Sequence, residues 1–306
     1  MTADKARFTI VGLGEALFDV FPHAEVLGGA PLNCAVHADQ LARTLGGRGV
    51  VVSRIGQDAL GGQLKDELSS RGMTTEFIQE DPDRSTGKVF VTTSASGEPQ
   101  YEIVKNVAWD WMQFDPDDET LATGCDAVCF GTLAQRSAQA RSSIQRFVKA
   151  ASHAVRMFDV NLRQDFYDKQ VISHSMELAN AVKINSDELG VVAGLLGIVD
   201  GGPDSIVNAL IKKFELKSLA LTRGAEGTVL YTPDARVEGD QVSYDRADNA
   251  DSVGAGDSCA ACLLIGLVQR WPLEKTVNLA NHVGAYVASQ PGATPALPDE
   301  LLEFDL

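Results

Sequence analysis

A glycine-rich turn leads directly into an apolar segment near the end of the chain: Asp251-Ser252-Val253-Gly254-Ala255-Gly256-Asp257-Ser258, followed by Cys259–Val268. Two glycines separated by one small residue let successive backbone N–H groups converge on one point. A helix over the apolar segment would add its free N-terminal amides and the positive end of its dipole. The stretch therefore predicts an anion-binding hole, formed by Gly254, Ala255 and Gly256, at the start of a buried helix.

Asp257 stands in the first turn of that predicted helix, beside the hole. Phosphoryl transfer requires positioning, stabilisation of developing charge and a base for the attacking hydroxyl, and this stretch supplies the last two. A tight turn followed by a capping aspartate is the alternative interpretation of the same residues. We predict that Asp257 is a catalytic base.

Two other nucleotide-binding motifs are missing from the sequence. Gly87-Lys88 lacks both the spaced glycine before it and the Ser or Thr after it that a Walker P-loop requires. Gly12-Leu13-Gly14 is followed by Leu17 where the dinucleotide-binding fingerprint has its third glycine. These departures exclude a P-loop and disfavour a dehydrogenase.

Short apolar runs alternate with helical patterns along most of the chain. Phe8–Leu13 is typical of a strand, and Pro31–Leu45 has apolar residues at helical spacing. Further helices are predicted at Met176–Ala181, Gly256–Gln269 and Leu273–Ser289. The alternation predicts the α/β class: a doubly wound, mainly parallel sheet with helices on both faces.

One region departs from this alternation. Thr86–Val107 has the period-two pattern of a β-hairpin with one wet face, and its polar turn is predicted at Ser94–Pro99. Together with a strand predicted at Ala16–Pro22, it would form a small β lid from segments about 15–30 and 84–108. Because a lone hairpin is barely stable, its apolar face should cover a substrate cleft, pack on the other lid strand or meet a second subunit. We predict a combination of these, including a homodimer through the lid.

The composition limits the class of protein and its partners. The 306 residues are 44% hydrophobic and 22% charged, and we predict one catalytic domain over residues 1–306. A net charge of −16 disfavours nucleic acid and anionic membrane surfaces as partners. Met1–Arg7 is polar, no apolar run reaches the roughly 18–20 residues of a membrane helix, and the five cysteines are scattered, so we predict a cytoplasmic location. Cys259 and Cys262 have metal or redox spacing, but their apolar segment favours core packing.

Two signatures resemble those of the ribokinase-like (PfkB) carbohydrate kinases. Asp251–Asp257 resembles the C-terminal signature of this family, and Leu27-Gly28-Gly29-Ala30-Pro31-Leu32-Asn33 resembles its N-terminal sugar-binding signature. The resemblance implies ATP as the phosphoryl donor, Mg²⁺ as a cofactor and a small-molecule sugar as the acceptor. One departure is Cys259, which stands where an aromatic residue is usual and should loosen the packing behind Asp257.

Four further segments resemble family motifs and occur in the family's order, so the resemblance spans nearly the whole chain. Gly14-Glu15 with Asp19 resembles the first sugar-contacting strand, and Asp159-Val160-Asn161-Leu162-Arg163 resembles a D-x-N-x-R segment of fructokinase-like members. Asn185-Ser186-Asp187-Glu188 resembles the N-x-x-E motif, and Thr222-Arg223-Gly224-Ala225-Glu226-Gly227 resembles the nucleotide loop.

The resemblance implies sugar contacts from directional side chains and from backbone that glycine allows to approach closely. The implied set is Asp19, Gly28, Gly29, Ala30, Asn33 and Arg163. Without the resemblance, Asp19 is equally well a turn residue before Pro22. Asn33 is equally well a solvated side chain in the first turn of a helix that starts at Pro31.

The resemblance also implies an ATP site, formed by Asn185, Thr222, Gly224, Ala225, Gly227 and Asn281. A plain β-turn between two strands would explain the loop residues of this set. An exposed helix face would explain Asn281 equally well.

Two cation sites follow from the resemblance. Glu188 would organise Mg²⁺ through water, although an acid that complements the helix dipole is the alternative. Asp251, Val253 and Gly292 would hold a monovalent cation, K⁺, mainly by backbone carbonyls. Ala296 falls where some members have a hydroxyl ligand, which leaves the K⁺ requirement open.

The sugar is the least constrained prediction. The sugar-binding signature has Ala30-Pro31 where sugar-phosphate kinases commonly have a basic residue, so the acceptor should be unphosphorylated. The signature and the D-x-N-x-R segment resemble fructokinases, which favours fructose. Arg163 could instead pair with a carboxylate, which makes 2-keto-3-deoxygluconate the alternative, followed by ribose and nucleosides. A non-catalytic sugar-binding regulator is the alternative from another class, and the intact Asp257 argues against it.

Overall fold

The computed structural model describes residues 6–21, 23–93, 99–199 and 201–304. Their strands are β1 (Thr9–Leu13), β2 (Leu17–Phe21), β3 (Ala24–Gly28), β4 (Arg48–Gly56), β5 (Ile78–Asp81), β6 (Gly87–Thr93), β7 (Pro99–Ile103), β8 (Ala127–Gly131), β9 (Val155–Asp159), β10 (Ala181–Asn185), β11 (Ser218–Thr222), β12 (Thr228–Tyr231) and β13 (Arg236–Glu238). Their α-helices are α1 (Ala30–Thr44), α2 (Ala59–Ser70), α3 (Pro116–Gly124), α4 (Ala138–Ala150), α5 (Lys169–Leu178), α6 (Ser186–Leu196), α7 (Pro203–Phe214), α8 (Ala255–Val268), α9 (Leu273–Val287) and α10 (Asp299–Leu302).

The main sheet has, within the described residues, nine strands in the order β13-β12-β11-β10-β9-β8-β1-β4-β5. The strands from β11 through β5 pair in parallel, whereas β12 and β13 are antiparallel additions at one edge. Parallel strands all end at the same edge of a sheet, so residues that follow them converge there. The predicted doubly wound α/β class is confirmed.

Both faces of the main sheet are covered. Alternate residues of β1 belong to different hydrophobic cores: Val11 to the core that also contains residues of α3 to α7, and Ile10 to the core that contains residues of α1, α8 and α9. Burial on both faces explains why these strands are apolar runs without polar alternation. Among the described residues, no helix is both long and apolar enough to cross a membrane.

The smaller sheet has the described order β3-β2-β6-β7, in which β2 and β6 are parallel and the other pairs antiparallel. The predicted strands of the hairpin are confirmed as β6 and β7. Of the predicted turn Ser94–Pro99, residues 94–98 lie outside the described residues, as does Pro22 at the end of the strand predicted at Ala16–Pro22. Val89 and Ile103 pack into the core beneath the main sheet, which stabilises the hairpin.

One predicted helix is misplaced. The helix expected at Met176–Ala181 is α5, which begins at Lys169 and ends at Leu178. Its start is set by Asp168, whose side chain accepts the Val171 amide at 2.7 Å as an N-cap. Ala181 belongs to the next strand, β10. The predicted core packing of Cys259 and Cys262 is confirmed, since both thiols are buried.

Candidate active site at the carboxyl edge of the main sheet

The N-terminus of α8 has the geometry that the glycine-rich turn predicts. Gly254 is the N-cap with φ +79°, a left-handed conformation that favours glycine. A Cβ on Gly254 would lie 2.0 Å from the Ala293 carbonyl oxygen, so no larger residue fits there without movement. Gly256, two residues further on, is exposed. The first-turn amides of α8 therefore begin at an open surface, where they can meet an anion.

Asp257 lies in the first turn of α8 and is half-buried. Its Oδ2 accepts a hydrogen bond from Asn33 Nδ2 at 2.8 Å, which joins the two signature segments across 224 positions of sequence. Burial, followed by the charge of Asp159, raises the pKa of Asp257 to about 6, although the Asn33 hydrogen bond and Lys183 oppose the rise. At neutral pH this carboxylate is mostly ionised and close to the pKa at which a base works best.

The predicted sugar-binding glycines lie at the start of α1, against Glu15 and Asp19. Gly29 is the N-cap of α1 with φ +115°, and a Cβ there would lie 2.4 Å from the Glu15 carbonyl oxygen. A Cβ on Gly28 would lie 3.1 Å from Asp19 Oδ2. Glycine at both positions thus admits neighbours that a side chain would displace. Ala30 begins α1 beside them and is half-buried.

Asn33 and Arg163 occupy opposite environments. Asn33 is 3% exposed, so the interpretation as a solvated first-turn side chain is wrong. Arg163 is exposed, and its Nη1 donates to the Leu162 carbonyl oxygen at 3.1 Å. Its charge also lowers the pKa of Asp19, although burial outweighs this effect and raises that pKa to about 6. Arg163 is therefore close enough to act on the carboxylates of the site.

The predicted ATP residues meet at the ends of β10 and β11. Asn185 and Thr222 are register partners, and Gly224 and Ala225 belong to the exposed 3₁₀ turn after β11. Gly227 has φ +81°, which any side chain would adopt with strain.

Asn281 adjoins this turn from α9. A Cβ on Gly227 would lie 2.7 Å from Asn281 Nδ2, which places the two predicted residues in contact. The exposed-face interpretation of Asn281 is wrong, because the side chain is 7% exposed and donates to the Asp240 carbonyl oxygen at 2.7 Å. Its packing explains why Gly227 lacks a side chain.

Glu188 forms a capping box with Asn185. Glu188 Oε2 accepts the Asn185 amide at 3.0 Å, and Asn185 Oδ1 accepts the Glu188 amide at 2.9 Å. Glu188 Oε1 accepts the Leu162 amide at 2.8 Å, which ties the N-x-x-E segment to the D-x-N-x-R segment. Burial raises the pKa of Glu188, partly offset by these amides. Each oxygen thus already accepts one backbone amide, an arrangement that suits a contact to a metal through water.

The loop assigned to a monovalent cation is held by Asp251. Asp251 Oδ1 accepts the Val253 amide at 2.9 Å, and Asp251 Oδ2 accepts the Gly292 amide at 3.2 Å. His37 Nε2 lies 2.9 Å from the Ala293 carbonyl oxygen in the same loop and connects it to α1. The structure therefore brings Asp251, Val253 and Gly292 together next to the N-cap of α8.

Comparison with known proteins shows the family of this chain. The sequence profile described as "pfkB family carbohydrate kinase" matches residues 21–300 of the chain. The chain belongs to the pfkB family of carbohydrate kinases. Fructokinase of Escherichia coli is 27% identical to it over 94% of this chain and 95% of the relative.

Solved structures share the fold of this pfkB kinase. Fructokinase with bound ATP from Xylella fastidiosa has a TM-score of 0.83 at 23% identity and covers 96% of this chain and 97% of its own. A double mutant of fructokinase from Vibrio cholerae O395, in a form with fructose, ADP and potassium ion bound, has a TM-score of 0.78 at 23% identity and covers 98% of both chains. These structures show the fold, whereas the family profile shows a carbohydrate kinase, a phosphotransferase with an alcohol group as acceptor, and the full-length relative makes it fructokinase-like.

The ion pair of Lys183 and Asp159 in this pfkB kinase was not predicted from the sequence. Lys183 Nζ lies 2.8 Å and 3.0 Å from the two carboxylate oxygens of Asp159, and both side chains are buried. Burial disfavours the lysine charge, but Asp159 raises the pKa of Lys183 above its usual value, so it stays protonated. A Cβ on Gly256 would lie 3.4 Å from Nζ, which places this cation directly under the predicted anion hole. The available signal was a lysine within an apolar strand, because buried charges are nearly always paired.

Proposed function

We propose that this carbohydrate kinase transfers the γ-phosphoryl group of ATP to a hydroxyl of an unphosphorylated sugar, fructose, with Asp257 as general base. The observation that carries the proposal is the position of Asp257, a half-buried carboxylate in the first turn of α8 that Asn33 holds at 2.8 Å. Phosphoryl transfer needs a base and an electropositive hole within a few ångströms of each other. The N-terminus of α8, with the Lys183 cation beneath it, provides both.

The proposed reaction follows from these positions. The sugar hydroxyl gives its proton to Asp257, and its oxygen forms a bond to the γ-phosphorus while the bond from that phosphorus to the bridging oxygen of ADP breaks. Amides of Gly254, Ala255 and Gly256 stabilise the charge on the equatorial oxygens during transfer. The products are protonated Asp257, the sugar phosphate and ADP, and ADP keeps the electron pair of the broken bond.

The nucleotide and Mg²⁺ fit the residues present in different ways. The turn at Gly224 and Ala225 is exposed, so its backbone is accessible to a nucleotide. The register pair Asn185 and Thr222 lies on one side of this turn, and the contact between Gly227 and Asn281 lies on the other. Mg²⁺ would supply charge neutralisation on the phosphates, and it usually keeps several waters. Glu188 suits a role through water, because each of its two oxygens already accepts one backbone amide, with Asp159 nearby.

The loop of Asp251, Val253 and Gly292 is proposed to take K⁺. The support is the convergence of these residues on the N-cap of α8, and Ala296 contributes no hydroxyl to it. A comparison of the initial rates in equal concentrations of KCl and NaCl tests the proposal; equal rates in the two salts would contradict it.

Fructose is the proposed acceptor because the sugar-binding group has no cation at Ala30-Pro31 and because a full-length relative is a fructokinase. The second candidate, 2-keto-3-deoxygluconate, is favoured by one observation, the exposed Arg163 next to the site carboxylates. Guanidinium groups bind carboxylates in a bidentate manner, so Arg163 could select a sugar acid.

A panel of acceptors tests the proposed function. We expect ATP consumption with fructose to exceed that with glucose, ribose, adenosine or 2-keto-3-deoxygluconate by at least about tenfold in kcat/KM, the size of a typical loss of one or two hydrogen bonds. The Asp257→Asn protein, purified identically, controls for contaminating kinases. If the protein consumed ATP with none of the sugars, the proposed kinase activity would be rejected. A preference for 2-keto-3-deoxygluconate would make that acid, rather than fructose, the acceptor.

We also propose that residues 1–306 form a single domain. Its smaller sheet, in segments 15–30 and 84–108, acts as a lid on the sugar. Strand registers place Asp19 opposite Val89, and Tyr101 opposite Val91. Because side chains alternate, these four residues share one face of the sheet, and it is the face that carries the predicted sugar contact. Tyr101 is 55% exposed on that face, and Gln164 Nε2 donates to its carbonyl oxygen at 2.8 Å. The sheet is thus linked to the loop of Arg163.

Hydrogen exchange across β6 and β7 tests the lid. Closure over the sugar would exclude water that otherwise competes for the phosphoryl group, so amide protection in these strands should rise at saturating fructose. Exchange in α4, which lies under the main sheet, serves as the internal control. Unchanged protection of β6 and β7 would make the smaller sheet a static flap.

The exposed aromatic residues of the smaller sheet support a homodimer through the lid. Phe21, Phe90 and Tyr101 are 41%, 40% and 55% exposed, and the strand registers place Phe21 and Tyr101 on one face of the sheet and Phe90 on the other. Light scattering that gave the monomer mass at micromolar concentration would contradict the dimer.

A further inference from the structure

Glu15 is a buried acid next to the site whose hydrogen bonding is incomplete. It follows β1, it is 3% exposed, and its Oε2 has no hydrogen-bond partner although the atom is buried. Asn33 Oδ1 is buried without a partner in the same way. An unsatisfied buried acceptor is costly, so each such atom in a native structure calls for a donor that the protein itself does not supply, such as an ordered water or a ligand hydroxyl.

The surroundings of Glu15 place these two acceptors beside the proposed base. Burial is the main cause that raises the pKa of Glu15 to about 7, and the charge of Asp257 raises it further. Backbone amides of Glu15 and Ala30 stabilise its charged form, and so does Arg163. Asn33, in turn, donates to Asp257 at 2.8 Å. Glu15, Asn33 and Asp257 therefore belong to one electrostatic unit at the start of α1 and α8.

We propose that Glu15 is a further substrate-binding residue, whose Oε2 accepts a hydrogen bond from a sugar hydroxyl other than the one that is phosphorylated. Asn33 Oδ1 accepts from a second hydroxyl, so the site selects acceptors by the hydroxyl donors that they present. The inference rests on the proposed function and names the substrate feature that the site reads.

This set of acceptors also discriminates between the two candidate sugars. Glu15, Asp19 and Asp257 are three carboxyl groups close enough to Arg163 for its charge to lower the pKa of each, although burial outweighs this effect in all three. A neutral polyol can donate to every one of them. A sugar acid brings a carboxylate, which cannot donate and is repelled by ionised neighbours. Glu15 therefore favours fructose over 2-keto-3-deoxygluconate.

A cycle of enzyme variants and deoxy sugars tests the role of Glu15. With wild-type protein, assayed at a pH above the pKa of Glu15 so that its carboxylate is ionised, we expect one monodeoxy fructose, lacking the hydroxyl that Glu15 binds, to lose about 10- to 100-fold in kcat/KM, as for a hydrogen bond to a charged group. With Glu15→Ala, the same analogue should lose less than about twofold relative to fructose, because the contact is already gone. The matching deoxyfluoro sugar, which cannot donate, should behave like the deoxy sugar.

Further variants distinguish a substrate-binding role of Glu15 from a purely structural role. Glu274→Ala, a change of an exposed glutamate in α9, should leave all the analogue penalties at their wild-type values. If Glu15→Ala unfolds below the assay temperature, Glu15→Gln, which keeps the shape, replaces it and should reduce the penalty of the same analogue. The ratio of kcat/KM for fructose to that for 2-keto-3-deoxygluconate should fall about tenfold in either variant. Wild-type penalties for every analogue in the Glu15 variants would overturn the inference, whereas a wild type that phosphorylates no sugar would instead reject the proposed function.

Discussion

Replacement of Gly254 by alanine is expected to lower kcat by about 10²- to 10³-fold, the effect of losing an oxyanion-type donor. Gly254 has φ +79°, and an added Cβ would lie 2.0 Å from the Ala293 carbonyl oxygen. That carbonyl is also held by His37 at 2.9 Å, so the loop cannot simply move away. The N-cap of α8 has to shift instead, which misdirects the amides of the anion hole. Steady-state kinetics at saturating ATP and sugar measure the loss.

Gly190→Ala is the matched control for this substitution. Gly190 is exposed within α6, and an added Cβ would meet nothing within 4 Å. Alanine should therefore leave kcat unchanged and stabilise the helix by roughly 0.5–1 kcal/mol. A Gly254→Ala protein that keeps kcat within threefold of wild type, with a normal thermal transition, would contradict a catalytic role for the anion hole.

Asp257→Asn is expected to reduce kcat by about 10²- to 10⁴-fold, the contribution of a general base, while leaving fructose and ATP binding within a fewfold of wild type. Asparagine has nearly the same shape, and its Oδ1 can still accept from Asn33 Nδ2, but it cannot take a proton from the sugar hydroxyl. Calorimetry gives the two dissociation constants and steady-state assays give kcat. Asp299→Asn, an exposed first-turn acid of α10, is the control and should retain full activity.

The parts of the site that depend on local sequence were predictable. Gly254, Gly256 and Asp257 lie within four positions, and the turn and helix that arrange them are determined by neighbours in sequence. The N-x-x-E segment is likewise a capping box, visible as Asn185 and Glu188 three residues apart. Element type is set locally wherever the apolar pattern is strong, which is why β1, α1, α8 and α9 were predicted within two residues or so of their bounds.

The remaining parts depend on partners far apart in sequence. Lys183 is 24 residues from Asp159, and only the parallel pairing of β9 and β10 makes Lys183 and Asp159 register partners. Burial of Asn281 likewise results from packing against the turn at Gly227 and the segment at Asp240. No pattern within a single element contains such information. The order of strands in the main sheet is non-local for the same reason.

Rapid quench of a single turnover tests the role of Asp257 most directly. Enzyme in excess over ATP is mixed with saturating fructose and Mg²⁺, and the formation of fructose phosphate is followed in wild-type and Asp257→Asn proteins, so that product release does not contribute. If Asp257 is the base, the transfer rate of Asp257→Asn should be at most about 1% of the wild-type rate, although fructose and ATP are both bound. A transfer rate of a third of wild type or more would contradict the assignment of Asp257 as the base.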